Sequence, residues 1–142
     1  MNKYLFAFLI IFSTVSFADT LYITLEKDNA LAVVNGETGQ LLQTVPLGQR
    51  PRGVAFNNDK TQLYVAARDD DTIQVIDTAS LKVVGELPSG DDPELFKIHP
   101  NGLWLYVSNE DDNIVTVIDL QTKNVIAEIP VGVEPEGIAV SL

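Results

Sequence analysis

Arg50 and Arg52, Asp92 and Glu94, and Glu134 and Glu136 flank Pro51, Pro93 and Pro135, and the three groups follow one another at intervals of 42 residues. Cations and carboxylates in equivalent places suit ion pairing and the capture of a polar or charged ligand. They suit bond-making less well. Paired carboxylates divide into acid and base only where an apolar pocket sets their pKa values apart, and the dense acidic stretches here read as exposed turns. Asp69-Asp70-Asp71 and Glu110-Asp111-Asp112-Asn113 also lack the alternating oxygen ligands and glycine of a calcium loop. They are expected to be hairpin-turn acids, with no metal. The single histidine, His99, precedes Pro100-Asn101-Gly102 and reads as a turn cap. A serine nucleophile would need it as a base within hydrogen-bond reach, with a third group to orient it. Cysteine is absent, which excludes thiolate nucleophiles, disulfides and Cys-ligated zinc or haem through this chain. With no glycine-rich phosphate loop either, no catalytic residue and no cofactor is expected, and the six flanking side chains stand as binding candidates.

The chain has 142 residues, with 9 Lys+Arg against 20 Asp+Glu and a formal charge of −11. Nucleic acid is therefore not an expected partner. A hydrophobic share of 46% with 9 Gly and 7 Pro fits an ordinary globular chain. Met1-Asn2-Lys3 leads into the apolar run Tyr4 to Phe12, too short for a membrane span, and small Ser16 and Ala18 precede a cut ahead of Asp19. Residues 1–18 read as a secretory signal peptide. The mature chain would be residues 19–142, in the periplasm or secreted, with no stable membrane span after cleavage.

The elements that must position the candidates come from an internal repeat. Leu21-Tyr22, Leu63-Tyr64 and Leu105-Tyr106 are spaced by 42, and the same shift aligns Asp28/70/112, Val33/75/117, Pro46/88/130, Gly48/90/132 and Pro51/93/135 without a gap. A period of about 40–45 points to a four-stranded propeller blade. In one unit the strands are Glu94 to Ile98, Leu105 to Ser108, Ile114 to Asp119 and Asn124 to Ile129, separated by turn residues. Ile73-Gln74-Val75-Ile76 carries apolar residues on both faces, as a strand sandwiched between neighbouring sheets requires. Pro46, Pro88 and Pro130 end the fourth strand of each unit, which places that strand on the outer rim. The expected fold is all-β: three four-stranded antiparallel blades with repeats at about 21–62, 63–104 and 105–142. Tyr22, Tyr64 and Tyr106 are expected to pack between blades, and Trp104 to shield strand ends.

Leu63-Tyr64-Val65-Ala66-Ala67 and Leu105-Tyr106-Val107-Ser108-Asn109 precede Asp-rich turns and the strands Val75-Ile76-Asp77 and Val117-Ile118-Asp119. This resembles the YVTN-type β-propeller repeat. The stretches from Gly48 to Phe56 and from Gly132 to Val140 resemble that repeat's G-x-x-P-x-G-x-A junction, whereas the middle copy has Leu95 and Lys97 in place of Gly and Ala. The resemblance covers all of residues 19–142 and is specific for fold. It implies a secreted binding or scaffold protein similar to accessory propellers of pyrroloquinoline quinone-dependent alcohol oxidation. Other propellers of the type imply lactonases or oxidoreductase subunits, whose active groups cluster at the axial mouth; a third alternative is a remnant without a function of its own.

Closed propellers use about four to eight blades, so three blades do not close alone. Residue 19 leads into a second strand, Leu21 to Leu25, and the sequence runs to a first strand, Glu136 to Val140; in propellers this offset lets the last strand complete the first blade. Either two copies form a six-bladed homodimeric ring, or the chain is a piece of a seven- or eight-bladed parent, favoured because the sequence stops just after a strand. The turns after second and fourth strands share one face. That face collects thirteen acidic residues against four basic ones, Lys27, Arg50, Arg52 and Arg68, a balance of −9. Such a surface keeps a protein soluble and also recruits cations, a basic periplasmic protein or a small polar ligand. Arg50 and Arg52 are expected to pair with the acids of adjacent junctions around the channel mouth.

Overall fold

A computed structural model describes residues 19–141; the segment read as a signal peptide lies outside the described residues. Three antiparallel sheets follow one another along the chain. The first has three strands, β1 (Thr20–Leu25), β2 (Ala30–Asn35) and β3 (Leu41–Pro46). The second has four, β4 (Pro51–Phe56), β5 (Gln62–Ala67), β6 (Thr72–Asp77) and β7 (Lys82–Pro88). The third repeats it with β8 (Pro93–Ile98), β9 (Trp104–Asn109), β10 (Ile114–Asp119) and β11 (Asn124–Pro130). Among the described residues the helical content is one 3-10 turn, Arg68–Asp70, and no helix is long and apolar enough to cross a membrane.

The repeat extends to register. Val54 pairs with Val65, Ala55 with Tyr64 and Phe56 with Leu63; 42 residues on, Phe96 pairs with Val107, Lys97 with Tyr106 and Ile98 with Leu105. A bulge recurs in all three sheets, after Val33, Val75 and Val117. Bulges add twist, which splays each rim strand from the axis. The rim strands β3, β7 and β11 end on Pro46, Pro88 and Pro130 and are mostly exposed.

Two apolar layers hold the sheets together. Leu63, Val65 and Ile76 pack with Leu31, Val33 and Val45 of the first sheet. On the opposite side of the same middle strands, Tyr64, Ala66, Ile73 and Val75 pack with Ile98, Leu105, Val107 and Ile118 of the third. Alternate side chains of one strand point to opposite faces, so a middle strand must be apolar at consecutive positions. Tyr22 meets Phe56 edge-on with ring centroids 5.3 Å apart, and Tyr64 is buried in the second layer, so these tyrosines pack between sheets as expected. Trp104, half-buried at the start of β9, stands edge-on to His99 at 5.3 Å. His99 Nδ1 accepts the Asn101 N–H at 3.1 Å, which makes it the turn cap expected.

The outer hairpins share one device. Asn35 Oδ1 accepts the N–H groups of Glu37 and Thr38, Asp77 Oδ1 that of Ser80 at 2.7 Å, and Asp119 Oδ1 those of Gln121 and Thr122. Hydrogen bonds from the Ser80 hydroxyl and backbone hold the Asp77 carboxyl below its usual range, and those of Thr122 do the same for Asp119. A carboxyl lowered on folding contributes stability above its unfolded pKa and loses it as pH falls through the folded one. Replacing both residues with Ala is therefore expected to lower Tm at neutral pH and to flatten the acid limb of a Tm-against-pH profile below about pH 4.

One expected element is absent. Residues 136–140 adopt no strand. A strand needs a partner for its N–H and C=O groups, and among the described residues no strand pairs with this segment. Its tie to the sheets runs through Glu136, whose carbonyl accepts the Ser108 hydroxyl at 2.6 Å. Thr24 makes the same bond to the Arg52 carbonyl, at 2.8 Å, where β4 passes the first sheet.

Candidate functional site

The turns after second strands (Glu26 to Asn29, Arg68 to Asp71, Glu110 to Asn113) and the junctions after fourth strands meet on one face. Asn29, Asp71 and Asn113 accept, through Oδ1, the backbone N–H groups of Arg50, Asp92 and Glu134 at 2.9, 2.9 and 3.0 Å. All six residues have left-handed φ values, between 50° and 57°, a conformation that Asn and Asp tolerate better than Arg or Glu. Asp70 and Asp112 accept the N–H groups of Gln49 and Asp91 at 2.8 and 3.0 Å. Turn asparagines and aspartates thus fasten each junction to its neighbouring turn, the acids Asp70, Asp71 and Asp112 serving the first two junctions and Asn113 the third. Gly48 and Gly90 allow the approach: a Cβ on Gly48 would lie 2.9 Å from the Ala67 Cβ, and one on Gly90 3.0 Å from the Asn109 amide.

Four of the six sequence candidates enter one ion network. Arg50 Nη2 lies 2.9 Å from Glu26 Oε1, with Nη1 3.4 Å from Asp69. Arg52 bridges Glu26 Oε2 at 3.0 Å and Glu94 Oε2 at 2.6 Å. Arg68 reaches Glu94 Oε1 at 2.8 Å and Glu110 Oε2 at 3.2 Å, and also pairs with Asp92. Among the described residues no ion pair of this network extends to Glu134 or Glu136. Glu136 instead lines a cavity of about 330 Å³ with Thr24, Glu26, Arg52, Glu94 and Leu95.

Glu94, at 1% exposure, and Asp92 are buried, against the expectation that every dense carboxylate lies in an exposed turn. The reason is their place at the inner strand's start, where Pro93 enters the sheet and two arginines cover them. Burial pushes the Glu94 carboxyl up, and Arg52 and Arg68 offset part of that rise. The hydrogen bond to Glu94 raises Arg52, the one to Asp92 raises Arg68, and the bond from Arg50 lowers Glu26. Asp91, facing Asp112 and Asp71, is raised by like charge. Asp92, Glu94 and Glu110 could draw a metal ion together by position, yet Arg68 already meets all three.

Arg68, Glu26 and Glu110 were not singled out as site residues from the sequence. The signal was there: the column 26/68/110 reads −, +, −, while 52/94/136 reads +, −, −. The two columns have opposite signs in the first two copies, where the pairs form, and like signs in the third.

Residues 18–128 match the family described as Lactonase, 7-bladed beta-propeller. The chain belongs to this family. Among solved structures, hydrazine synthase of Kuenenia stuttgartiensis is similar with a TM-score of 0.75 at 25% identity, over 82% of this chain and 34% of that one. The dihydro-heme d1 dehydrogenase NirN is similar with a TM-score of 0.65 at 21% identity, over 81% of this chain and 25% of the other. A provisionally assigned 6-phosphogluconolactonase of Bacteroides fragilis gives 0.68 at 24% identity, over 78% and 35%. The last two likenesses concern the fold. No curated protein matches the chain. The chain spans about a third or less of these solved structures, so the described lactonase-family sheets are a part-propeller of three blades, the first lacking its innermost strand.

Proposed function

We propose that this lactonase-family part-propeller is an exported binding or scaffold module whose acidic axial mouth takes a cationic group. The observation that carries this reading is the imbalance of the ion network. Arg50, Arg52 and Arg68 are all engaged by carboxylates, while Glu134 and Glu136 add negative charge at the next junction and, among the described residues, enter none of these ion pairs. A negative field at a concave mouth attracts basic partners and makes their binding sensitive to salt. The 42-residue repeats and the apolar leader support membership of the YVTN type and delivery to the periplasm or beyond. The accessory role in quinone-dependent alcohol oxidation rests on the same resemblance.

A fluorescent Lys/Arg-rich peptide titrated against the purified protein tests the reading. Binding is expected to weaken between 50 and 200 mM salt, and each of Glu110→Gln, Glu134→Gln and Glu136→Gln to weaken it by up to about fivefold, the effect of an exposed ion pair worth up to about 1 kcal/mol. Affinity that ignores both salt and these changes refutes it.

A lactonase reading is favoured by one further feature: Glu94, its carboxyl raised by burial, lines the axial cavity beside Arg52. There it would act as a general base toward water, with Arg52 and Arg68 facing developing negative charge. Turnover of a neutral lactone, abolished in Glu94→Gln with the fold retained, would establish that reading. A phosphorylated lactone suits the negative mouth less well.

A further inference from the structure

We infer that the groove between the second and third sheets, on the face opposite the ion network, binds a neutral pyranose sugar. The inference does not depend on the ligand reading above.

The groove is framed by the turn after β4 on one side and by the turns after β8 and β10 on the other, and it encloses about 490 Å³, a size usual for small-molecule sites. Both walls belong to four-stranded sheets. Its polar groups are held in place by one half and leave the other half free. Asn58 Nδ2 donates to the Pro100 carbonyl at 3.0 Å, across the two sheets. A carbonyl can only accept, so the Asn58 Oδ1 is left as an acceptor. Asn101 Oδ1 accepts the Leu103 N–H at 2.9 Å, which leaves its Nδ2 as a donor. Neither free half, nor the Gln121 carboxamide, has a hydrogen-bond partner among the described residues. Gly102 allows this arrangement: a Cβ there would lie 2.8 Å from Asn58 Nδ2.

Between these amides the lining is apolar, from Tyr64, Ile98, Leu103 and Leu120, and Leu103 is 49% exposed. Fixed donors and acceptors beside an exposed apolar side chain match a pyranose, whose hydroxyls both donate and accept while its C–H face seeks apolar cover. Asp59 is the one charged side chain in the lining, and its Oδ1 already accepts the Thr61 N–H and hydroxyl at 3.0 and 2.6 Å. A carboxylate with no cation beside it disfavours sugar acids and sugar phosphates. The groove is not a by-product of the repeat. One repeat earlier, Asp59, Lys60, Thr61 and Thr78 stand where Asn101, Gly102, Leu103 and Leu120 stand here, and Thr78 Oγ1 is bound to the carbonyls of Lys60 and Thr61.

Saturation-transfer NMR on the full chain, with the methyl pyranosides of glucose, galactose and mannose as probes, tests the inference. At least one is expected to bind saturably, with transfer strongest to its ring C–H protons, and the methyl glycoside of glucuronic acid to bind more weakly than that of glucose. Asn101→Asp keeps the oxygen that accepts the Leu103 N–H and removes only the free donor, and Leu103→Ser removes the exposed apolar side chain. Each should weaken binding by about fivefold or more while the far-UV spectrum stays unchanged. A Lys/Arg-rich peptide, which the acidic mouth would take on the opposite face, should not displace the sugar. Absence of transfer to all three neutral glycosides overturns the inference. So does binding that both variants leave intact, binding of the glucuronide as tight as that of the glucoside, or displacement of the sugar by the peptide.

Discussion

Replacing Arg68 with methionine is expected to destabilise the fold by about 3–5 kcal/mol, the cost of removing one partner from a buried ion group. Arg68 is the side chain on which Asp92, Glu94 and Glu110 converge from the third sheet, and the first two of these carboxylates are buried. Methionine fills much of the same space, so the loss reports charge more than volume. In the variant Glu94, whose carboxyl burial already pushes up, keeps only Arg52 to offset that rise and moves further above its unfolded value. Stability is then highest below the unfolded value and falls as pH increases through the folded one. Chemical denaturation at pH 4 and pH 7 should show the deficit shrinking at the lower pH. An equal deficit at both would mean that Arg68 acts through packing alone.

Leu105→Ala is expected to cost about 2–5 kcal/mol. Leu105 is fully buried where the third sheet meets the second, in one layer with Tyr64, Ile73 and Val107. Truncation leaves a cavity between two sheets that are joined elsewhere by polar contacts at the axial face, so little rearrangement is available to fill it. Urea unfolding of the variant should show a lowered midpoint with an unchanged slope. A change in slope would show that the sheets unfold separately. That outcome would overturn the picture of one core shared through the middle strands.

Much of the fold was legible in the sequence because a repeat makes each local signal appear more than once. Pro46, Pro88 and Pro130 marked the rim strands, consecutive apolar residues such as Val75 and Ile76 marked strands covered on both faces, and the recurring tyrosines, Tyr22 and Tyr64 among them, marked the packing between sheets. The candidate site was legible only in part. Arg50, Arg52, Asp92 and Glu94 were found from their spacing around proline, and the structure joins them. Their connecting partners, Glu26, Arg68 and Glu110, lie 24–26 residues away in sequence or a full repeat away. Such contacts depend on how neighbouring sheets turn about the axis, which no single segment encodes.

By itself the sequence determined the 42-residue period, the order of strands within each sheet and which residues face neighbours, because hydrophobic alternation and turn chemistry act over a few residues. Tertiary structure alone decided which carboxylates are buried and which arginines hold them. It also decided that residues 136–140 remain without a strand, since a strand's hydrogen bonds belong to its partner as much as to its own sequence.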